Sequence, residues 1–93
     1  MQTEHELKCR PEFFGRVVSG QKTFEIRKND RDFQVGDILI LKEYDPEKGW
    51  PDHGSYDTQR VAVTYMTTFE QQPGYVVLGI KIIPDFDPNE IPM

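Results

Sequence analysis

Residues 19–33 read SGQKTFEIRKNDRDF, and this stretch combines a helix end, a strand and a polar loop. Gly20 suits the positive φ angle with which many helices end. Lys22–Arg27 alternates apolar and polar side chains, which is the pattern of a half-exposed strand. The wholly polar run at Lys28–Asp32 predicts a surface loop. The stretch therefore predicts that a helix leads directly into a sheet.

The alternation in Lys22–Arg27 assigns its side chains to two faces. Phe24 and Ile26 share one face, whereas Glu25 and Arg27 share the other. Apolar side chains gain free energy on leaving water. We therefore expect Phe24 and Ile26 in the core and the two charged residues at the surface.

The flanking segments supply the remaining elements. Pro11 is favoured at the first position of a helix, and the apolar residues after it recur with helical spacing, so we predict a helix over residues 11–19. Apolar and β-branched runs between turn signals predict strands over residues 5–9, 22–27, 38–44, 60–68 and 75–83. One early helix and five strands predict an α+β, mainly β fold: a small closed or nearly closed barrel.

The predicted core collects the apolar residues that should face inward in these elements. They are Phe13 or Phe14, Val17, Phe24, Ile26, Ile38 or Leu39, Val63 and Val77.

The chain has 93 residues, which predicts a single domain over 1–93 with an extended or frayed tail at 84–93. No apolar run has the roughly 18–20 residues of a membrane span, so we expect no membrane contact. Cys9 is the only cysteine, which excludes an internal disulfide and favours a reducing, cytoplasmic setting. We expect a monomer.

The charge is unevenly distributed along the chain. The net charge is −5, which argues against a protein that coats nucleic acid through phosphate neutralisation alone. Residues 1–31 nevertheless hold seven Lys or Arg against five Asp or Glu, whereas residues 32–93 hold four against eleven. A local basic patch on an acidic body suits a specific anionic ligand.

The candidate site follows from residues 20–31. Carboxylate, amide, ammonium and guanidinium groups together can hydrogen-bond a nucleobase edge and hold a phosphate. The alternative is a surface ion pair between Glu25 and Arg27 beside a solvated loop, worth at most about 1 kcal/mol. The candidate ligand-binding residues are Lys22, Glu25, Arg27, Lys28, Asn29, Asp30 and Arg31.

Longer runs carry a family resemblance. HELKC at 5–9, SG at 19–20, KTFEIRKNDR at 22–31 and GYVVLG at 74–79 resemble the DUF3850-type branch of the ASCH domains, a bacterial and phage group within the PUA-like superfamily. The resemblance implies a PUA-like barrel with an early helix and a cleft lined by a G-x-K-x-x-E-x-R motif. It also implies an RNA-binding or nucleotide-binding module. The motif positions here are Gly20, Lys22, Glu25 and Arg27.

Two other functions remain open. Some PUA-like proteins are amidohydrolases of acetylated cytidine with a motif similar to G-x-K-T-x-T-x-R. This chain matches it at Lys22 and Thr23, but Glu25 stands where the second threonine would be, so Lys22 and Glu25 would be the catalytic pair. A protein-interaction domain that binds through its acidic face is the third hypothesis. His5, Cys9 and His53 lack zinc-ligand spacing, so we expect no metal and no cofactor.

Overall fold

Five strands and one short helix form the part of the protein that the computed structural model describes, residues 3–50 and 57–84. The predicted helix and the five predicted strands are all present, with bounds shifted by one or two residues. In chain order the elements are β1 (Glu4–Cys9), α1 (Pro11–Val18), β2 (Phe24–Lys28), β3 (Ile38–Glu43), β4 (Thr58–Thr67) and β5 (Tyr75–Ile82).

The strands form one sheet in the order β1-β3-β4-β5-β2. β1 runs parallel to β3, and all other neighbours are antiparallel. The register shifts between Val63 and Tyr65 in β4, and such a bulge increases the bend of a strand. The sheet curls into a half-barrel whose two edges are β1 and β2. The prediction of a mainly β fold with one early helix is therefore confirmed.

The helix α1 connects β1 to β2 and covers the concave side of the sheet. Pro11 occupies its first turn, and its apolar stripe buries Phe14 and Val17 against the sheet. Gly20 ends the helical segment with φ of +84°, a conformation that favours glycine. The Lys22 N–H then donates to the Arg16 carbonyl at 2.9 Å. This turn fixes where the chain enters β2.

The core lies between α1 and the concave face. The buried residues of this core include Leu7, Cys9, Phe14, Val17, Phe33, Leu39, Leu41, Val61, Val63, Val76, Leu78 and Ile80. Complete burial of one large apolar side chain stabilises the fold by about 1.5–3 kcal/mol before chain entropy is subtracted. Val17, Val63 and both Ile38 and Leu39 are buried as predicted, and Phe14 rather than Phe13 is the buried member of its pair.

The predicted facing of β2 is wrong. Glu25 is only 4% exposed, whereas Phe24 and Ile26 are 43% and 53% exposed. Glu25 points to the concave side and accepts hydrogen bonds from two cations there. These bonds offset the free-energy cost of burying a carboxylate. Val77 in β5 pairs with Ile26 in β2, and both side chains point to the convex side of the sheet. Val77 is therefore half-buried rather than part of the core.

The loops add two local structures. A tight turn closes between Asp45 and Gly49, whose backbones exchange hydrogen bonds, and the Asp45 side chain accepts from the N–H groups of Glu47 and Lys48. Residues 51–56 lie outside the described residues, as does the predicted tail beyond Pro84. Within residues 3–50 and 57–84, no helix has the length and apolar character needed to cross a membrane.

Candidate functional site

A charged cluster of Lys22, Glu25 and Arg27 lies at the free edge of β2. Lys22 Nζ donates to Glu25 Oε1 at 2.6 Å, and Arg27 Nε donates to Glu25 Oε2 at 3.0 Å. The Glu25 side chain is 5% exposed, whereas those of Lys22 and Arg27 are 16% and 23% exposed. The carboxylate is thus buried beneath two cations that still reach water.

Aromatic rings surround the ammonium group of this cluster. Lys22 Nζ lies 5.5 Å from the centre of the Phe13 ring and 5.0 Å from that of Phe24, within the range of cation–π attraction. It also donates to the Phe24 carbonyl at 2.7 Å. With the bond to Glu25, two of the three ammonium protons have acceptors among the described residues. The third proton is available to a ligand.

The cluster forms one wall of a cleft between the end of β1, α1 and β2. The cleft has a volume of about 460 Å³, within the range of small-molecule sites. Its apolar surface comes from exposed rings and from Ile26, and its polar surface from the cluster. It is lined by Lys8, Cys9, Arg10, Phe13, Lys22, Phe24, Glu25, Ile26 and Arg27.

Two arginine side chains bridge the gap between the sheet edges. The carbonyls of Thr3 and Cys9 accept from the N–H groups at the start of β3 and just past its end. Successive carbonyls of a strand alternate in direction, so those of Glu6 and Lys8 point away from β3, toward β2. Arg27 Nη2 donates to the Lys8 carbonyl at 2.9 Å. The half-barrel is thus joined by side chains where backbone pairing is absent.

Arg31 makes the second of these bridges. Its Nη1 donates to the Glu6 carbonyl at 2.8 Å. Together with Arg27 it lines a further cleft of about 710 Å³ on the far side of the bridge, where Glu6 also pairs with Lys42 at 3.2 Å. Arg27 therefore borders both clefts.

The other residues of the predicted loop lie elsewhere. Lys28 ends β2 and is exposed on the convex side, and Asp30 is exposed in the loop. The Asn29 side-chain oxygen accepts from the Phe33 N–H at 3.3 Å, and its own N–H donates to the Gly74 carbonyl. The structure thus brings together Lys22, Glu25 and Arg27, but neither Lys28, Asn29 nor Asp30 lines the cleft.

Cys9 lies in the cleft wall next to this cluster. Burial raises the pKa of its thiol, and the negative charge of Glu25 raises it further, while Arg27 and Lys22 oppose the shift; the pKa is about 11. The thiol is therefore protonated at neutral pH, and a protonated thiol is a poor nucleophile. Cys9 packs in the core as a small, buried residue of β1.

These geometric observations can be set beside known proteins. The family model described as a domain of unknown function, DUF3850, matches residues 4–80. The chain belongs to the DUF3850 family. The matched range contains the whole charged cluster and both bridging arginines.

One curated relative of the DUF3850 chain comes from Escherichia phage P2. It is named an uncharacterized 12.9 kDa protein in the GpA 3' region, and it is 45% identical over 40 residues. That alignment covers 43% of this chain and 37% of the phage protein, so the chain spans just over a third of the relative's length.

Sequence reasoning missed a second buried carboxylate with a side-chain partner in the DUF3850 chain. His5 Nε2 lies 2.8 Å from Asp37 Oδ2, and both side chains are buried. Asp37 also accepts from the N–H groups of Thr3 and Gln34. Burial by itself would raise the pKa of Asp37, but these hydrogen bonds outweigh it and hold the pKa below its usual value of 3.8.

Trp50 is the last residue of the first described range. Its ring contacts that of Tyr44 edge to face at 4.6 Å, and Lys8 Nζ lies 4.3 Å from the Tyr44 ring and 5.8 Å from the Trp50 ring. His53 lies outside the described residues. In the described part of the chain, no three His, Cys, Asp or Glu side chains are grouped so as to hold a metal ion.

Proposed function

We propose that this domain binds RNA or a modified nucleoside, with one base held in the cleft beside Lys22, Glu25 and Arg27. The observation that carries the proposal is a buried carboxylate between two cations at the wall of a cleft that two exposed phenyl rings, those of Phe13 and Phe24, also line. A base offers a flat apolar surface and an edge with both donors and acceptors, so it matches both parts of the cleft.

The hydrogen-bonding groups of the cleft match the edge of a base. The Glu25 carboxylate can accept from an exocyclic amine, and the remaining Lys22 proton can be donated to a ring nitrogen or carbonyl. Phe13 and Phe24 are each 43% exposed, which is unusual for phenylalanine and leaves ring surface for stacking. A preformed cluster also lowers the entropy lost on binding.

The fold and setting belong to the same proposal. A curled five-stranded sheet with an early helix is compatible with the PUA-like barrel of the ASCH domains. We take the domain to be a monomer that acts in the cytoplasm, in keeping with its single buried cysteine. Light scattering on the purified protein tests the monomer directly.

The experiment is a calorimetric titration with cytidine 5′-monophosphate and with short RNA. Lys22→Ala and Arg27→Ala should each weaken binding by about 1.5–3 kcal/mol, since each removes a charge-assisted contact. Lys48→Ala, which removes an exposed lysine from the Asp45–Gly49 turn, is the matched control and should bind as the parent does. Equal weakening by all three variants would mean that the chain responds only to net charge, and the proposal would fail.

Amidohydrolase activity is the second candidate, because the Lys22–Glu25 contact places an amine and a carboxylate 2.6 Å apart in the cleft. In that case Lys22 would be the activated amine and Glu25 the base. The enzyme would hydrolyse the amide bond of N4-acetylcytidine, consuming one water molecule and releasing cytidine and acetate. Glu25→Gln should then abolish turnover and spare binding, whereas for a binding module it should change which base is preferred. A protein partner on the acidic face remains the outcome if neither nucleosides nor RNA bind.

A further inference from the structure

The convex side of the sheet carries an exposed apolar surface, here called the outer face, formed by the outward side chains of β2, β5 and the second half of β4. Two rows of residues cross the three strands. In the first, Phe24 and Tyr65 lie on either side of Gly79, to which both are paired. In the second, Ile26 lies beside Val77. The outer face thus places aromatic and aliphatic groups side by side.

The exposure of these side chains is high for apolar residues. Tyr65 is 65% exposed, Ile26 53% and Tyr75 39%. A contiguous exposed apolar surface of this kind is typical of an interaction site. Gly79 has no side chain, so the surface between the Phe24 and Tyr65 rings is low. A Cβ at this position would lie only 3.3 Å from the Tyr65 Cβ and the Thr64 Oγ1.

The charges on the outer face are of one sign. The outward residues of β2 and β5 include Lys28 and Lys81, both exposed, and no carboxylate. They stand near opposite ends of the face, since Lys28 pairs with Tyr75 and Lys81 lies six residues further along β5, about 20 Å away. On a chain with net charge −5, this is a local reversal of sign.

The outer face is also continuous with the cleft. Phe24 and Ile26 belong to the outer face, and both line the cleft at the edge of β2. A polymer with one unit in the cleft would therefore meet the outer face with its neighbouring units.

We propose that the outer face is a second contact surface for single-stranded RNA, on which bases adjacent to the one in the cleft stack. Exposed aromatic rings flanked by lysines suit alternating flat bases and phosphates. A second copy of this chain fits less well, because face-to-face packing would bring Lys28 and Lys81 against the same lysines without a carboxylate to pair them. This inference rests on the proposed function for its class of ligand.

The test compares cytidine 5′-monophosphate with an octamer of cytidine. The octamer should bind more tightly than the mononucleotide. Tyr65→Ala should weaken octamer binding about five- to one-hundred-fold, the range for loss of one stacked base, and leave mononucleotide binding unchanged. Lys81→Gln should lower the salt dependence of octamer binding by about 0.7 in log K per log salt. Val18→Ala removes exposed apolar surface from α1 on the other side of the sheet and should change neither.

The outcomes separate this inference from the proposed function. Mononucleotide binding that depends on Lys22, with no gain for the octamer and no effect of Tyr65→Ala, would overturn the outer face alone. Octamer binding that depends on Tyr65 but not on Lys22 would support the outer face and overturn the cleft. Concentration-dependent dimerisation that Tyr65→Ala removes would overturn the outer face as an RNA surface, because the face would then join two copies.

Discussion

Two buried carboxylates, Glu25 and Asp37, have nearly the same degree of burial but different surroundings. Asp37 is enclosed: its partner His5 is also buried, and two backbone N–H groups complete its hydrogen bonds. Among residues 3–50 and 57–84, Glu25 is bonded only to side-chain cations that remain partly exposed and border a cleft. Hydrogen-bond donors compensate the buried carboxylate at both residues. Of the two sets of donors, those around Glu25 also border a cleft, where they can contact a ligand.

This contrast separates a structural pair from a candidate site. Asp37 joins the start of β3 to β1, because His5 and Ile38 belong to neighbouring parallel strands. Glu25 joins β2 to Lys22 and, through Arg27, to the edge of β1. Removing Asp37 should therefore loosen the sheet, whereas altering Glu25 should mainly change what the cleft binds.

The largest expected effect is on the free energy of unfolding when Asp37 is replaced. Asp37→Ala leaves His5 and two N–H groups without their acceptor and should cost about 3–5 kcal/mol, measured by urea denaturation. Glu25→Gln should cost less than about 2 kcal/mol, because the amide oxygen still accepts one bond and the freed cation reaches water. If Glu25→Gln costs as much as Asp37→Ala, the cluster at the cleft is structural and the contrast fails.

An intermediate effect is expected from acid. The folded-state pKa of Asp37 is lowered, so the stability it contributes is fully present above its unfolded value of 3.8 and is lost as the pH falls through the lower folded value. Unfolding midpoints of the parent should therefore fall more steeply below pH 3.8 than those of Asp37→Asn. Parallel pH profiles for the two proteins would show that Asp37 carries no such linkage.

The smallest expected effect concerns the facing of β2. Ile26→Ala should change the free energy of unfolding by less than about 1 kcal/mol, since the side chain is 53% exposed. Phe14→Ala, in the core, is the comparison and should cost about 3–5 kcal/mol. A loss of 2–5 kcal/mol in Ile26→Ala would place Ile26 in the core and Glu25 at the surface, which would remove the basis of the comparison.

Much of the fold could be predicted from local pattern. Pro11 and Gly20 mark the two ends of α1, and alternation or apolar runs locate the strands. Hydrophobicity predicts the wrong orientation of β2, because it places Phe24 and Ile26 inward and takes no account of the two cations that compensate a buried Glu25. Their positions, three residues before and two after the carboxylate, were the available signal.

Long-range contacts explain the remaining gaps. His5 and Asp37 are 32 residues apart and meet only because β1 pairs with β3 in parallel. That pairing leaves no signature in either segment. In β5, the run VVLGI is apolar throughout, so only exposed Lys81 and Tyr75 at its ends indicate that Val77 points outward. At the candidate site, Lys22, Glu25 and Arg27 contact one another as the motif suggests. The loop residues Lys28, Asn29 and Asp30 do not line the cleft that this cluster borders.

The most direct test of the contrast between the two carboxylates is an amide chemical-shift titration of the isotope-labelled protein with cytidine 5′-monophosphate. We expect saturable shifts centred on residues 22–27 and on Phe13, with residues around His5 and Asp37 nearly unchanged. The same titration of Lys22→Ala should show weaker shifts at the same positions. Shifts centred on His5 and Asp37, or none in residues 22–27 at millimolar nucleotide, would contradict the assignment of the Glu25 cluster as the ligand site.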